Sequence, residues 1–202
     1  MARPKSFDED TVLDAATDCF RRQGLNAASI RDLAEAMGIA GPSLYNTFGC
    51  KRALFVQALE RYVNGGMRCR FAELEQRGPK AAILAFVAHF MEQALGGAAE
   101  GGCLLVNTAM EVDPQDAELT ARVADYLGEI EAFLHRNLIA AQAASQIPPE
   151  LDPEETAGML LAVLLGISVL ARLRPDAAPL ERLLTPIFAL LEIPHRKPEV
   201  MT

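Results

Sequence analysis

The amino-acid sequence predicts an all-α protein of about nine helices, with a three-helix helix-turn-helix domain followed by a larger helical domain. Apolar residues recur at helical spacing along most of the 202 residues, and the alternating pattern of a β-strand is absent. One helix start signal, aspartate followed by proline, occurs at Asp113 and again at Asp152. Half of the residues (50%) are hydrophobic and none lies in a low-complexity run, so we expect a folded globule.

The first helix is predicted to begin at a capping box formed by Ser6 and Glu9 and to run to about Gln23, where Gly24 ends it. Its inward residues would cover the apolar side of the next two helices. Two cations precede it, Arg3 and Lys5. They either add loose phosphate contacts or belong to a solvated terminus.

Two short helices separated by a glycine turn follow, over about residues 29–48. Ser29 and Asp32 form a second capping box, and Gly38 supplies the left-handed residue that ends the first of the two helices. The second helix opens at Gly41-Pro42 and places Leu44 and Phe48 on one face. Its other side chains can donate or accept hydrogen bonds. A helix, a tight turn and a helix with a polar outer face are typical of a helix-turn-helix.

This stretch resembles the DNA-binding domain of the TetR family of bacterial transcriptional regulators. The residues that carry the resemblance are Ser29, Arg31, Leu33, Ala34, Gly38, Ile39, Leu44, Tyr45, Phe48, Lys51 and Leu54. The resemblance implies a homodimeric repressor that binds a palindromic operator in double-stranded DNA and is released by a small-molecule inducer. An activator, or a regulator without a ligand, would have the same sequence features.

A fourth helix is predicted from near Cys50, where a thiol replaces the usual capping residue, and it continues toward Gln76. Gly65-Gly66 interrupts its pattern, so we expect a DNA-binding domain at 1–66 and a regulatory and dimerisation domain at 67–202. Further helices are predicted over 79–95, 102–112, from Asp113, from Asp152, and over 179–191, where Pro186 should kink the chain.

The net charge of −8 argues against a protein that coats nucleic acid indiscriminately. Residues 1–66 carry equal numbers of basic and acidic side chains, so the acidic surplus lies in 67–202. No signal peptide is evident, and the longest apolar run, 157–171, is short for a membrane span. The four cysteines lack a metal or disulfide pattern. We therefore expect a cytoplasmic protein without a membrane segment, metal or cofactor.

The run at 157–171 is apolar on all faces of its helix and should therefore be buried on all faces. We expect the helices over 153–172 and 179–191 to form a homodimer interface, a four-helix bundle across a two-fold axis, as the resemblance also implies. A central core helix of a monomer is the alternative.

The candidate DNA contacts divide into two groups. Ser29, Tyr45 and Lys51 match the phosphate-contacting positions of the family. Base reading would fall to the second helix, where Asn46 can pair with adenine while Pro42 and Thr47 can contact a thymine methyl group. Arg31 is a candidate for a guanine contact, since residues 41–48 contain no lysine or arginine; a solvated arginine is equally compatible. The remaining candidates are Gly41 and Ser43.

Nothing in the sequence identifies the inducer, and its candidate contacts are Phe90, Cys103, Asn107, Met110, Phe133 and Asn137. Asn137 lies within the apolar stripe of a long helix and needs a partner, either a neighbouring backbone group or a ligand. Cys103, Asn107 and Met110 are predicted to share a helix face. Some members of the family with a similar Gly-Cys-Leu-Leu segment respond to electrophiles or oxidants, so a thiol sensor at Cys103 is an alternative to a buried core cysteine.

An all-α enzyme or metal carrier is the alternative from another class. Within the predicted helices, the pairs His89/Glu92 and Glu131/His135 are the only histidine–carboxylate pairs at helical spacing, and they do not form the motif of a di-iron bundle. No catalytic or metal-binding residue can be argued, so we expect a protein that is not an enzyme.

Overall fold

The computed structural model describes residues 7–96, 101–173 and 176–192. Within these ranges the chain forms α-helices and one π-helical segment, and no strand. The helices are α1 (Glu9–Ala27), α2 (Ile30–Met37), α3 (Gly41–Phe48), α4 (Lys51–Tyr62), α5 (Cys69–Glu75), α6 (Pro79–Gly96), α7 (Leu104–Glu111), α8 (Ala117–Ala143), α9 (Pro153–Leu173) and α10 (Ala177–Leu190).

The π-helical segment, Val63–Arg68, joins α4 to α5 without a break. When α4, the π segment and α5 are counted as one helix, the described ranges contain nine helices. The predicted all-α class is confirmed. Gly65 and Gly66 lie inside the π segment. The interruption predicted at these glycines is therefore a local change of helix type.

Contacts group the chain into two compact units. The N-terminal unit contains Met1–Arg70 and Gly96–Leu127, and the C-terminal unit contains Phe71–Leu95 and Gly128–Thr202. The segment around α7 belongs to the first unit because α7 packs on α1 and α4. The functional division at residue 66 stays a prediction, and these units describe packing alone.

The start of α1 differs from its prediction. The N-cap is Asp8, whose carboxylate accepts from the Asp10 N–H at 3.3 Å and from the Thr11 hydroxyl at 2.6 Å. Ser6, like Arg3 and Lys5, lies outside the described residues. Gly24, at φ 82°, interrupts the helix where its end was predicted, and one short turn follows it.

The two Asp-Pro signals have different outcomes. Asp152 caps α9 as predicted, since its carboxylate accepts from Glu154 N at 2.8 Å and Glu155 N at 3.0 Å. The predicted start of α8 at Asp113 is wrong. Asp113 closes a turn onto Gln115 N, and α8 begins at Ala117 after Asp116, which accepts from Leu119 N at 3.1 Å.

The core of the C-terminal unit contains a group of aromatic rings. Phe71 stacks on Phe133 with ring centroids 4.3 Å apart, and Phe86 lies 5.3 Å from Phe133. Arg136 covers Phe133 at 5.1 Å and donates to Glu75 at 2.6 Å. In the same unit α9 packs against α10, which retains Pro186 inside the helix.

Candidate nucleic-acid interface

The start of α2 is fixed by its own side chains. Ser29 Oγ accepts from Asp32 N at 3.1 Å, and the Asp32 carboxylate accepts from Ser29 N at 3.2 Å and from Ser29 Oγ at 2.7 Å. The predicted capping box is thus confirmed. The Ser29 hydroxyl, followed by the Ser29 N–H, lowers the pKa of Asp32, so this carboxylate stays charged at the positive end of the helix.

The turn between α2 and α3 contains the expected left-handed glycine. Gly38 has φ 63° and donates to Glu35 O at 3.1 Å, while Ile39 N donates to Ala34 O at 3.1 Å. Buried residues on both helices, Leu33 on α2 and Leu44 and Phe48 on α3, hold the pair together. The turn therefore fixes the angle at which α3 leaves α2.

The opposite face of α3 is open to solvent. Pro42, Tyr45 and Asn46 are exposed, with Tyr45 at 51%, and Gly41, Ser43 and Thr47 are partly exposed. Arg31 and Ser29 are also exposed at the start of α2. The helix thus offers hydrogen-bonding groups on one side and apolar anchors on the other, as a helix inserted into a major groove must.

Lys51 has a structural role that the sequence did not reveal. Its ammonium donates to Asn26 O at 3.2 Å and to Ala28 O at 3.1 Å, the carbonyls where α1 turns into α2. An ammonium has three N–H donors, so one remains for a phosphate oxygen. At the same helix start, Cys50 Sγ accepts from Ala53 N at 3.4 Å, so the thiol does occupy the cap position.

Ion pairs attach α4 to its neighbours in the N-terminal unit. Arg52 binds the Asp116 carboxylate through two bonds of 2.8 and 2.7 Å and Glu118 through one of 3.1 Å. Arg52 lowers the pKa of Asp116 to about 2, and Asp116 in turn raises the pKa of Arg52. Arg61 makes a similar pair with Asp14 on α1.

Of the ligand candidates, three lie in the N-terminal unit. Cys103 is the N-cap of α7, and its sulfur lies 3.5 Å from the Tyr62 hydroxyl. Asn107 is buried and donates to Arg21 O at 3.2 Å and Gly101 O at 2.6 Å. Met110 is 70% exposed, unlike Asn107, and the predicted shared face stays a prediction. Cys103 precedes the helix in extended backbone, and burial on α7 is confined to its first five residues.

The other three candidates lie in the C-terminal unit. Phe133 is buried in the aromatic group, and Phe90 is partly buried 6.3 Å from Phe86. Asn137 is buried and donates to Phe133 O at 2.8 Å. A backbone group thus satisfies the Asn137 amide N–H, the first of the two partners that the sequence left open. Ligand contact by these three residues stays a prediction.

An open cavity of about 740 Å³ lies in the N-terminal unit along α1, α4 and the π segment. None of the six ligand candidates lines it. Its walls are formed by Leu13, Asp14, Gln57, Glu60, Arg61, Tyr62, Asn64, Gly65 and Gly66. In the described ranges no three His, Cys, Asp or Glu side chains are grouped as metal ligands.

α9 contains the apolar run noted in the sequence. It is 21 residues long, and an 18-residue window within it has a mean hydropathy of 2.0, enough by length and composition to cross a membrane, although core helices of water-soluble proteins have the same properties. Met159 is 36% exposed and Leu170 41%. This helix therefore presents apolar side chains that its own unit leaves open.

A capped helix pair with a polar, exposed second helix, supported by α1 and α4, defines a helix-turn-helix DNA-binding protein. Comparison with known families agrees. The family described as "Bacterial regulatory proteins, tetR family" matches residues 12–58, a range that includes all nine predicted DNA contacts. The family described as "Tetracyclin repressor-like, C-terminal domain" matches residues 79–187.

Individual relatives match over most of the chain. The HTH-type transcriptional repressor ComR of Escherichia coli is 30% identical over 90% of this chain and 86% of that protein. The uncharacterized HTH-type transcriptional regulator YezE of Bacillus subtilis is 29% identical over 87% and 92%.

A solved structure extends the comparison to DNA. A cysteine mutant of the TetR family regulator CifR, in complex with 26-base-pair double-strand operator DNA, is 30% identical, with a TM-score of 0.79 over 94% of this chain and 98% of that one. The chain belongs to the TetR family, and it is a DNA-binding transcriptional regulator.

Proposed function

We propose that the protein is a homodimeric repressor that binds a palindromic operator in the cytoplasm and leaves it when a small molecule binds the regulatory domain. The observation that carries this proposal is the exposed polar face of α3, held between a capped α2 and the Lys51 end of α4. The relatives named as repressors support the sign of regulation. No step of this function requires catalysis, a metal or a cofactor.

The dimer is inferred from α9 and α10. Four leucines on these helices are at least two-fifths exposed: Leu170 at 41%, Leu173 at 76%, Leu183 at 41% and Leu190 at 45%. Leu170 and Leu173 are three residues apart on α9, and Leu183 and Leu190 are seven apart on α10, spacings that place each pair on one side of its helix. Exposed apolar faces of this kind are typical of an interface, whereas single exposed leucines are common. A second copy of the same face, related by a two-fold axis, would cover them.

Dimerisation would place two α3 helices in successive major grooves, with half-site centres about 34–36 Å apart or somewhat more. Asn46 is the best-placed reader of a base, because it is exposed and its amide can bind adenine through two bonds. Ser29, Tyr45 and Lys51 would fix the register through phosphates, and Arg31 would add a guanine contact.

The test is selection of bound fragments from genomic DNA by the purified protein at two salt concentrations. We expect a palindrome to be enriched at both salt concentrations, because base contacts persist at the higher salt concentration while phosphate contacts weaken. Fusion of the recovered site to a reporter gene then gives the sign of regulation. Weak binding without sequence preference at both salt concentrations would overturn the proposal.

The inducer contacts can be tested once the genes beside the operator suggest compounds. Replacing Phe90 by alanine, if Phe90 contacts the inducer, should leave operator affinity unchanged and reduce release by the active compound. Phe90 suits this test because it is only partly buried, whereas Phe133 supports the aromatic core.

A thiol sensor at Cys103 is the second candidate, favoured by the position of Tyr62. The Tyr62 hydroxyl lies 3.5 Å from Cys103 Sγ, and burial, with the neighbouring sulfur, raises the pKa of Tyr62 well above its usual value. A tyrosine that stays protonated can donate to a thiolate. N-ethylmaleimide should then release the operator from the wild type and not from Cys103→Ser. Release from Cys103→Ser as well would assign the effect to another cysteine.

A further inference from the structure

The junction between α1 and α2 contains one helical turn that is separated from the rest of α1. Gly24, at φ 82°, breaks α1, and Ala28 N returns to Gly24 O at 3.4 Å before Ser29 starts α2. The N–H groups of Leu25 and Asn26 open this turn, so they have no acceptor within it and need partners from elsewhere in the chain.

Glu111, the last residue of α7, supplies the partners on one side of this junction. Its carboxylate accepts from Leu25 N at 2.9 Å and from Asn26 N at 3.5 Å, and its carbonyl accepts from Asn26 Nδ2 at 3.4 Å. A Cβ on Gly24 would lie 2.2 Å from Glu111 Oε1. The carboxylate thus occupies space that any side chain at residue 24 would fill.

Lys51 supplies the partner on the other side. Its ammonium binds Asn26 O and Ala28 O, so Asn26 is held through its N–H by Glu111 and through its C=O by Lys51. Asn26 thus links the two charged side chains, and a shift of Asn26 moves a carbonyl that orients Lys51.

We propose that Glu111 is a positioning residue for the DNA contact: by fixing Leu25 and Asn26 it fixes the carbonyls that aim the Lys51 ammonium at a phosphate. The inference rests on the proposed role of Lys51 as a phosphate contact. It makes the end of α7 part of the DNA-binding apparatus, although Glu111 itself is an acid and cannot bind a phosphate.

Whether loss of the Glu111 carboxylate weakens or strengthens DNA binding distinguishes a positioning role from an effect of its charge alone. Removing a carboxylate close to a polyanion strengthens binding if only net charge matters. Loss of the hydrogen bonds between Glu111 and Asn26 weakens DNA binding, because Lys51 is then no longer held in one geometry. Asp113 offers a matched control: it is two residues away, exposed, and its carboxylate accepts from Gln115 N within its own turn.

The experiment measures affinity for the palindrome selected by the wild type, across a series of salt concentrations. The variants are Glu111→Ala, Glu111→Gln, Lys51→Met, Asp113→Ala and the double variant Glu111→Ala/Lys51→Met. We expect Glu111→Ala to weaken binding roughly threefold to thirtyfold and to lower the salt slope by about one, as loss of one phosphate contact does.

The other variants should follow from the same geometry. Glu111→Gln keeps an oxygen that can accept from Leu25 N and should retain most of the affinity. Asp113→Ala should bind as tightly as the wild type or more tightly. The double variant should be no weaker than Lys51→Met alone, since both changes remove one contact.

Three results would overturn the inference: tighter or unchanged binding by Glu111→Ala, an unchanged salt slope, or effects of Glu111→Ala and Lys51→Met that add in full. Thermal unfolding of each variant at every salt concentration used checks that a lower folded fraction does not cause the change of slope. If the wild type selects no palindrome, the proposed function itself has failed.

Discussion

The two contact units of the molecule both have apolar cores, and they differ in the groups that they present around those cores. In the N-terminal unit, polar groups make specific pairs: the Ser29–Asp32 box, Arg52 with Asp116, and Lys51 with two carbonyls. In the C-terminal unit, aromatic rings and aliphatic helices dominate, and leucines of α9 and α10 remain exposed. The polar pairs of the first unit hold side chains in positions from which they can bind a polar partner. The second presents an apolar surface, as a protein that associates with its own copy would.

The largest effect should come from a charge on the apolar surface. Leu170→Glu places a carboxylate where we propose that two subunits meet, so sedimentation should show a monomer. Operator affinity should fall on the order of a hundredfold or more, because a buried unpaired charge at an interface is costly and one half-site alone binds weakly.

Leu84→Glu is the matched control for that surface, since Leu84 is a 36% exposed leucine on α6. It should leave both the assembly state and operator affinity close to those of the wild type. A dimeric Leu170→Glu protein would place the interface elsewhere and would weaken the contrast between the two units.

A smaller effect is expected from the DNA-facing side chains of α3. Asn46→Ala should cost about 1–3 kcal/mol at one base position and relax the preference there. Tyr45→Phe removes one hydroxyl and should weaken binding to all sequences by a similar factor, about twofold to tenfold. Selection from a randomised half-site distinguishes the two. An unchanged sequence preference in Asn46→Ala would remove Asn46 from the set of base-reading residues.

A substitution in the turn between α2 and α3 should have a smaller effect, on the stability of the fold. Gly38 has φ 63° and open space around its Cα, so Gly38→Ala should be destabilising through backbone strain alone, by about 1–2 kcal/mol. Chemical denaturation measures this. Gly41→Ala is the control, because Gly41 has open space and no positive φ. Equal stability of the two variants would mean that the turn does not hold this conformation.

The smallest effect concerns the pH response of the polar unit. The pKa of Asp116 is about 2 in the folded protein, where Arg52 and then the Leu119 N–H lower it, and about 3.8 in an unperturbed chain. These contacts therefore stabilise the fold above pH about 4, and the contribution is lost as the pH falls toward 2. The difference in free energy of unfolding between wild type and Asp116→Asn should therefore be constant above pH about 5 and shrink below it. A difference independent of pH would contradict the ion pair.

Local signals predicted those parts of the fold whose partners are close in sequence. The Ser29–Asp32 box, the left-handed Gly38 and the Asp152 cap each involve groups within four residues, and all three are present. The predicted start of α8 at Asp113 failed because a second carboxylate, Asp116, caps the helix three residues later and is also bound by Arg52.

The sequence predicted which side chains of the candidate site face outward. It did not predict the long-range contacts that hold the site in place. Alternation of apolar and polar residues on α3 placed Tyr45 and Asn46 outside and Leu44 inside. The Lys51 contact to Asn26 spans 25 residues, and the Glu111 contact to Leu25 spans 86. Such contacts depend on how whole helices pack, which periodicity does not report.

The π segment indicates where this chain could lose one residue while the helix remains continuous. A π turn holds one residue more than an α turn, so it is the form that a helix takes around a single inserted residue. Val63–Arg68 has that form, and Gly65 and Gly66 have open space around them. Deletion of one glycine is therefore expected to convert the segment to ordinary α-helix. An alignment of this chain with a relative that lacks the π turn should accordingly place a gap of one residue between 63 and 68, inside a helix.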